Sequence, residues 1–254
     1  MENLYPSFTG GRILKKECLW AIRDYAYGAE QMYYLEASDG ILKGFDITIQ
    51  DGAILIGKGL IKYEGFIYMA DHTVSVAYEA TDRLQVIKIR CVRVKEIPDY
   101  DSYKMELCLD EEPGLQEGEF ELCRFNQRIG SVLRNDYKAF YDMETQYDTI
   151  NLAQASWSSI GGLTLHPVIL RTFARELLQK EGLGARDYAF AYLLLNSRET
   201  VSGEIILSYI DQQEQVLDGK EMFAALERRL RFFGRPDVGD MGVDERNEPM
   251  ILVD

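Results

Sequence analysis

Histidine is nearly missing from this chain: two in 254 residues, His72 and His166. They offer no H-x-x-x-H pair for zinc, and an isolated histidine at a strand edge or helix start is expected to be structural. Cysteine is almost as sparse. Cys18, Cys91, Cys108 and Cys123 form no C-x-x-C pair, so close metal-ligand spacing is absent and buried, reduced thiols are expected. Basic residues are few beside the acids, 28 Lys and Arg against 42 Asp and Glu, for a formal net charge of −14. Binding nucleic acid needs clustered cations. The densest basic run, Arg228-Arg229-Leu230-Arg231, reads instead as favourable charge at a helix C-terminus. Neither nucleic acid nor an anionic membrane surface is an expected partner. Long apolar runs are missing too. Tyr188 to Leu195 is far short of the roughly 20 residues that span a bilayer, so no membrane insertion is expected. Met1 to Gly11 lacks the basic start and apolar core of a secretion signal, which makes a cytoplasmic location the expectation.

Catalytic frames are absent as well. Gly57-Lys58-Gly59 has neither the G-x-x-x-x-G-K-[ST] frame nor a following helix, so it is a turn and not a phosphate loop. Ser158-Ser159 lacks G-x-S-x-G. Asp99 and Asp101 resemble the start of a calcium loop, but the glycine at position six and the distal glutamate are missing. Asp110-Glu111-Glu112 reads as a solvated loop. No catalytic, cofactor-binding or metal-binding residue is assigned, and no enzyme activity or cofactor is expected.

What is present is ordinary globular composition, 46% hydrophobic and 28% charged, with two successive periodicities. Leu14, Cys18, Ile22, Tyr25, Ala29 and Met32 share one stripe of a predicted helix over 13–33. The period then becomes two. Phe45, Ile47 and Ile49 alternate with polar residues, Asp51-Gly52 follows, and Ala53 to Ile56 answers it, which is a hairpin signal. Glu64-Gly65 sits between Leu60–Tyr63 and Phe66–Met69 as a second. Val74–Tyr78, Leu84–Glu96, Tyr103–Leu109 and Glu119–Phe125 complete seven or eight strands. No helix-length segments separate them, so parallel crossovers are not expected. The pattern predicts an antiparallel sandwich or barrel.

Helical signals take over after Phe125. Residues 128–156 carry apolar positions compatible with helix, and 157–162 read as a loop. Thr164 is a candidate cap for a helix with Pro167 in its first turn and Leu170, Phe173, Ala174, Leu177 and Leu178 inward. Asp187 is a candidate cap for the next, whose Tyr188–Leu195 run is apolar nearly all round and so expected to be central. A third is expected over 201–213 with Ile205, Ile206, Tyr209 and Ile210 buried. Asp218 and Glu221 stand at capping-box spacing for a fourth, burying Met222, Phe223, Leu226, Leu230 and Phe233. The expected fold is therefore α+β: a helix, an N-terminal antiparallel β-sandwich or barrel, then a C-terminal helical bundle. The expected division is 1–126 β-rich, 127–233 helical, and 234–254 a flexible acidic tail with an apolar end. Met250, Ile251, Leu252 and Val253 in that tail are the candidate partner-binding residues.

The β-rich half resembles a module of phage tail fibres and baseplates. The resemblance is carried by Gly40-Ile-Leu-Lys-Gly-Phe-Asp-Ile-Thr-Ile49, Asp51-Gly-Ala-Ile-Leu-Ile-Gly-Lys-Gly59, Gly65-Phe-Ile-Tyr68 and Asp82-Arg-Leu-Gln-Val-Ile-Lys-Ile-Arg90. With the preceding helix, it is similar to the shoulder of phage receptor-binding proteins and to the first domain of the type VI secretion baseplate connector. Leu165-His-Pro-Val-Ile-Leu-Arg-Thr-Phe-Ala174 resembles the entry to the bundle that follows the shoulder there. The resemblance implies a non-enzymatic adaptor in a phage-tail-like or contractile injection baseplate. It also implies self-association, as a trimer, contact with other assembly subunits, and residence in the cytoplasm or in a particle assembled there. Two other readings stay open. The 16 tyrosines can stack on sugars as a carbohydrate-binding module, and paired carboxylates can serve a glycoside hydrolase.

Overall fold

The computed structural model describes residues 4–94, 100–211 and 217–233. The candidate residues Met250, Ile251, Leu252 and Val253, with the rest of 234–254, lie outside the described residues. The fold is α+β. A helix, α1 (Lys16–Tyr33), leads into β1 (Gly40–Gly44), β2 (Ile47–Gln50), β3 (Ala53–Ile56), β4 (Gly59–Tyr63), β5 (Phe66–Ala70) and β6 (Val74–Ala77). Three longer strands follow, β7 (Leu84–Val94), β8 (Ser102–Asp110) and β9 (Glu119–Asn126). The second half holds β10 (Trp157–Ser159), β11 (Gly162–Thr164), α2 (Pro167–Leu177), α3 (Ala185–Asn196), α4 (Gly203–Tyr209) and α5 (Gly219–Phe232).

Both predicted hairpins form where the turn chemistry placed them. Asp51 and Gly52 have φ of 51° and 73°, Glu64 and Gly65 of 48° and 74°. Positive φ at both central residues matches the right-handed twist of the flanking strands. The first turn sets Ile49 opposite Ile54 and Ile47 opposite Ile56; the second sets Tyr63 opposite Phe66. Between β1 and β2 the chain leaves one sheet for another. Gly44 (φ 77°) and Phe45 (φ 55°) make that step. Phe45 N–H donates to the Lys58 carbonyl at 2.8 Å, and Gly57 N–H to the Asp46 carbonyl at 2.9 Å. The Phe45 ring lies directly over Gly59, where any side chain would collide with it.

Among the described residues three sheets result, in the orders β11-β10-β1-β4-β5, β2-β3-β6 and β8-β7-β9. The expectation of purely antiparallel pairing is corrected: β1 pairs with β10 in parallel, Ile41 beside Trp157. More than a hundred residues separate the two, which is ample chain for a crossover. Residues 157–162, expected as loop, instead begin the β10–β11 hairpin, and Trp157 is buried. Cys91, Cys108 and Cys123 lie on β7, β8 and β9, and all four cysteines are free. Burial pushes the Cys91 thiol up to about 12 and raises Cys123 further.

Lys88 is the unexpected member of the core at 1% exposure. A β-bulge opposite Ile87 and Lys88 leaves Leu122 of β9 as the extra residue, so Lys88 faces Glu121 across the ladder. Its ammonium donates to Asp110 at 3.0 Å and to the Gly114 carbonyl at 2.7 Å, with Glu119 at 3.9 Å. Glu119 in turn accepts from Arg90.

Residues 128–156 correct the helical expectation. They form a single 3-10 turn at Phe140–Glu144 inside irregular chain. That chain is held by side chains: Arg134 to Asp142, Arg128 to Asp148, and the Tyr137 hydroxyl to the Ile150 carbonyl. Phe140 stacks on Phe223 of α5 at 4.4 Å and meets Phe173 of α2 edge-on.

The caps also differ from expectation. Thr164 closes β11 and donates to the Val201 carbonyl at 2.5 Å. His166 caps α2, its Nδ1 accepting from Val168 N–H at 3.0 Å, ahead of Pro167. Asp187 is the third residue of α3, reaching back to Gly184 N–H at 2.9 Å. Helix α3 is less central than its composition suggested. It buries Phe190, Ala191 and Leu194, while Tyr188, Tyr192, Leu193 and Leu195 are exposed. In α4, Ile206 and Tyr209 are buried as expected but Ile205 is exposed. The Asp218–Glu221 capping box is as expected, as is the burial of Met222, Phe223, Leu226 and Leu230, while Phe233 is only partly buried.

Burial, with a smaller push from Arg171, drives the His166 imidazole down to about 3. The unfolded chain binds a proton on this histidine below about pH 6.5 while the folded chain does not. Stability is therefore fully present above pH 6.5 and is lost as pH falls towards 3. Urea titrations between pH 7 and 5 are expected to show a slope approaching ~1.4 kcal/mol per pH unit. His166→Asn keeps a capping side chain and is expected to flatten that slope.

Candidate functional site

Helix α1 is built to form and is then left uncovered. Ala21, Ala26 and Ala29 favour helix, and Glu17 faces the positive end of the macrodipole. Its C-terminus is fastened by Lys62 of β4, whose ammonium donates to the carbonyls of Tyr34, Leu35 and Ala37 at 2.9, 3.0 and 2.6 Å. The Tyr33 hydroxyl donates to Glu199 at 2.5 Å. That bond, first, and the nearby Glu199 charge raise the phenol's pKa. Tyr27 stacks on Phe66 of β5.

Beyond these ties the helix stands off the body, and none of its 18 residues is buried. An isolated helix of this length is marginal in water, because most helical stability in proteins comes from packing an apolar face. Here that face is open. Ile22, Tyr25 and Met32 are 45%, 73% and 75% exposed, and Leu19 and Trp20, on other sides of the helix, are exposed as well. At 100° per residue, the predicted stripe lies about a third of a turn away from Ala26, Tyr27 and Glu30, which border β5. The sequence thus located the stripe, but gave no sign that nothing in the same chain covers it.

A second apolar surface lies where α1 ends. A groove of about 550 Å³ runs between the α1 C-terminus, β10 and the α3–α4 connection. Met32, Leu35, Ile160, Leu193 and Ile205 line it, and the two charged residues on its wall are Glu36 and Glu199. Exposed Tyr192 and Leu195 extend the apolar area along α3. Sequence reasoning missed this groove because it placed Ile205 and the α3 leucines inside.

The other candidate groups do not converge. Tyr68 is buried, Tyr63 packs on Phe120, Tyr78 on Phe125, and Tyr103 stacks on Phe66 at 3.5 Å. The conspicuous carboxylates are engaged with cations: Asp110 with Lys88, Glu111 with Arg83, Asp101 with Arg93, Glu121 with Arg124. Asp99 lies outside the described residues. His72 is exposed beside Asp71. Among the described residues, no three His, Cys, Asp or Glu side chains are placed to hold a metal ion, and no helix is long and apolar enough to cross a membrane.

No family model and no curated protein sequence matches the chain. Among solved structures, the fold is similar to a crystal structure of TssK, with 10% identity and a TM-score of 0.40. The match covers 91% of this chain and 68% of that one.

Proposed function

We propose that the protein is a structural subunit that works by assembling with copies of itself and with other proteins, through the open face of α1. One observation carries this reading: an 18-residue amphipathic helix, tethered at its end and buried nowhere. Large exposed apolar patches mark interaction sites, and a helix face with apolar residues at threes and fours is the form read by a helix or a groove. The engagement of the acidic side chains in ion pairs fits a scaffold, where carboxylates brace the chain.

In this proposal strands β1–β9, with the β10–β11 hairpin added to the first sheet, form a shoulder-like sandwich, and helices α2–α5 form a bundle behind it. The sequence resemblance supplies the setting, a phage-tail-like or contractile injection baseplate assembled in the cytoplasm. The copy number proposed is three. Met250, Ile251, Leu252 and Val253 are proposed as a further contact with a neighbouring subunit.

Light scattering on the eluting peak, over a range of concentrations, tests the reading. The unaltered chain is expected to run as an oligomer. Ile22→Asp with Tyr25→Asp is expected to shift it to the monomer, since each apolar side chain buried is worth about 1.5–3 kcal/mol. That is roughly tenfold to a hundredfold in dissociation constant per residue. Both positions are exposed, so the circular dichroism of the monomer should be unchanged. A chain that is monomeric at every concentration would remove the proposal.

A further inference from the structure

Two exposed apolar surfaces lie at opposite ends of α1, and they carry opposite charge. At the N-terminal end, Arg12-Ile13-Leu14-Lys15-Lys16 sets three cations around two apolar side chains in a protein of net charge −14. Ile13 and Leu14 are 88% and 57% exposed. At the C-terminal end is the apolar groove, whose charged wall residues are Glu36 and Glu199. Lys62 below it is already engaged by three carbonyls.

We infer that Arg12–Lys16 of one copy docks into the Glu36–Glu199 groove of a second copy, so that subunits join head to tail. Ile13 and Leu14 enter among Ile160, Leu193 and Ile205, and the cations meet the two glutamates. A chain cannot place its own Arg12–Lys16 segment in its own groove. The helix between the two surfaces is 18 residues long, about 27 Å at 1.5 Å per residue, and it is fastened at the groove end. An Arg12–Lys16 segment seated in the groove therefore comes from another molecule. Such a contact is heterologous, joining two different patches, unlike a two-fold pairing in which one patch meets itself.

The inference rests on the self-association proposed above but adds its polarity, and the two can fail separately. Two variants in the full chain test it, Ile13→Asp with Leu14→Asp (entry lost, groove intact) and Ile160→Asp with Ile205→Asp (groove lost, entry intact). All four positions are exposed, and circular dichroism checks that each variant folds. Each alone is expected to be monomeric by light scattering. Mixed one to one, they are expected to form a dimer and go no further, because a single productive contact survives. No association on mixing would overturn the head-to-tail contact in favour of two-fold pairing. Variants that each retain the oligomeric mass of the unaltered chain would overturn the groove while leaving self-association through α1 intact. The same result is expected if the groove holds the chain's own Met250–Val253 segment. A monomeric unaltered chain would end both proposals. Raising salt from 0.05 to about 0.5 M is expected to weaken the mixed dimer, since exposed charge pairs are screened.

Discussion

Replacing Asp187 by alanine is expected to destabilise the protein by about 3–5 kcal/mol, the range for breaking a buried, hydrogen-bonded charge. The carboxylate is 3% exposed and joins three helices. One oxygen accepts from the Tyr209 hydroxyl of α4 at 2.7 Å and from Arg229 of α5 at 2.9 Å. The other accepts from Gly184 N–H and closes the first turn of α3. Burial alone would raise the Asp187 pKa, but the bonds from Tyr209, Arg229 and Gly184 outweigh it and hold the group below its ordinary value. Alanine removes all of these acceptors at once, leaving the buried Tyr209 hydroxyl, the Arg229 guanidinium and the Gly184 N–H without this partner. Urea unfolding gives the number. Asp136→Ala, whose side chain is 76% exposed in its ion pair with Arg134, is the control and should cost under about 1 kcal/mol. Equal losses for the two would show that Asp187 is not the joint between the helices.

Gly44→Ala is expected to be comparably damaging, by about 3 kcal/mol or more, for a reason confined to the backbone. Its φ of 77° is open to glycine and costs any other residue about 1 kcal/mol. A methyl group there would also fall well inside contact with the Lys58 carbonyl oxygen. That oxygen accepts from Phe45 N–H, so relief of the clash breaks the bond joining the two places where the chain passes between sheets. Gly52→Ala separates the two costs. Gly52 has nearly the same φ, 73°, but open space around it, so only the conformational penalty applies. A Gly44→Ala variant no less stable than Gly52→Ala would refute the steric argument.

How far the sequence could be read follows from how local each feature is. The hairpins at Asp51-Gly52 and Glu64-Gly65 were legible because turn and strand signals sit within a dozen residues of each other. The Asp218–Glu221 box was legible for the same reason. Asp187 was legible as a helix-start residue, but its partners Tyr209 and Arg229 are 22 and 42 positions away. Nothing in the local pattern announces them. Residues 128–156 misled because apolar spacing there serves separate contacts, Phe140 on Phe223 and Tyr137 on Ile150, and no continuous helical face exists. The burial of Lys88 was not legible either, because its partners Asp110 and Gly114 are 22 and 26 positions away. For the surface proposed to be functional, periodicity said which residues of α1 lie together. It could not say what covers them, because burial depends on the rest of the molecule and on its neighbours.

The parallel seam between Ile41 and Trp157 has a consequence for how the chain is made. On a ribosome, the first strand emerges well before its neighbour is synthesised, at roughly 5–20 residues per second. For several seconds the edge of β1 that will receive Trp157 has no mate, and closing so long a loop carries an entropic cost. Hairpins nearer the start can zip within microseconds, yet the sheet they belong to must wait for translation to pass residue 164. Nascent chains halted before that point should therefore resist a protease only weakly, and protection should rise sharply once the β10–β11 hairpin has cleared the exit tunnel.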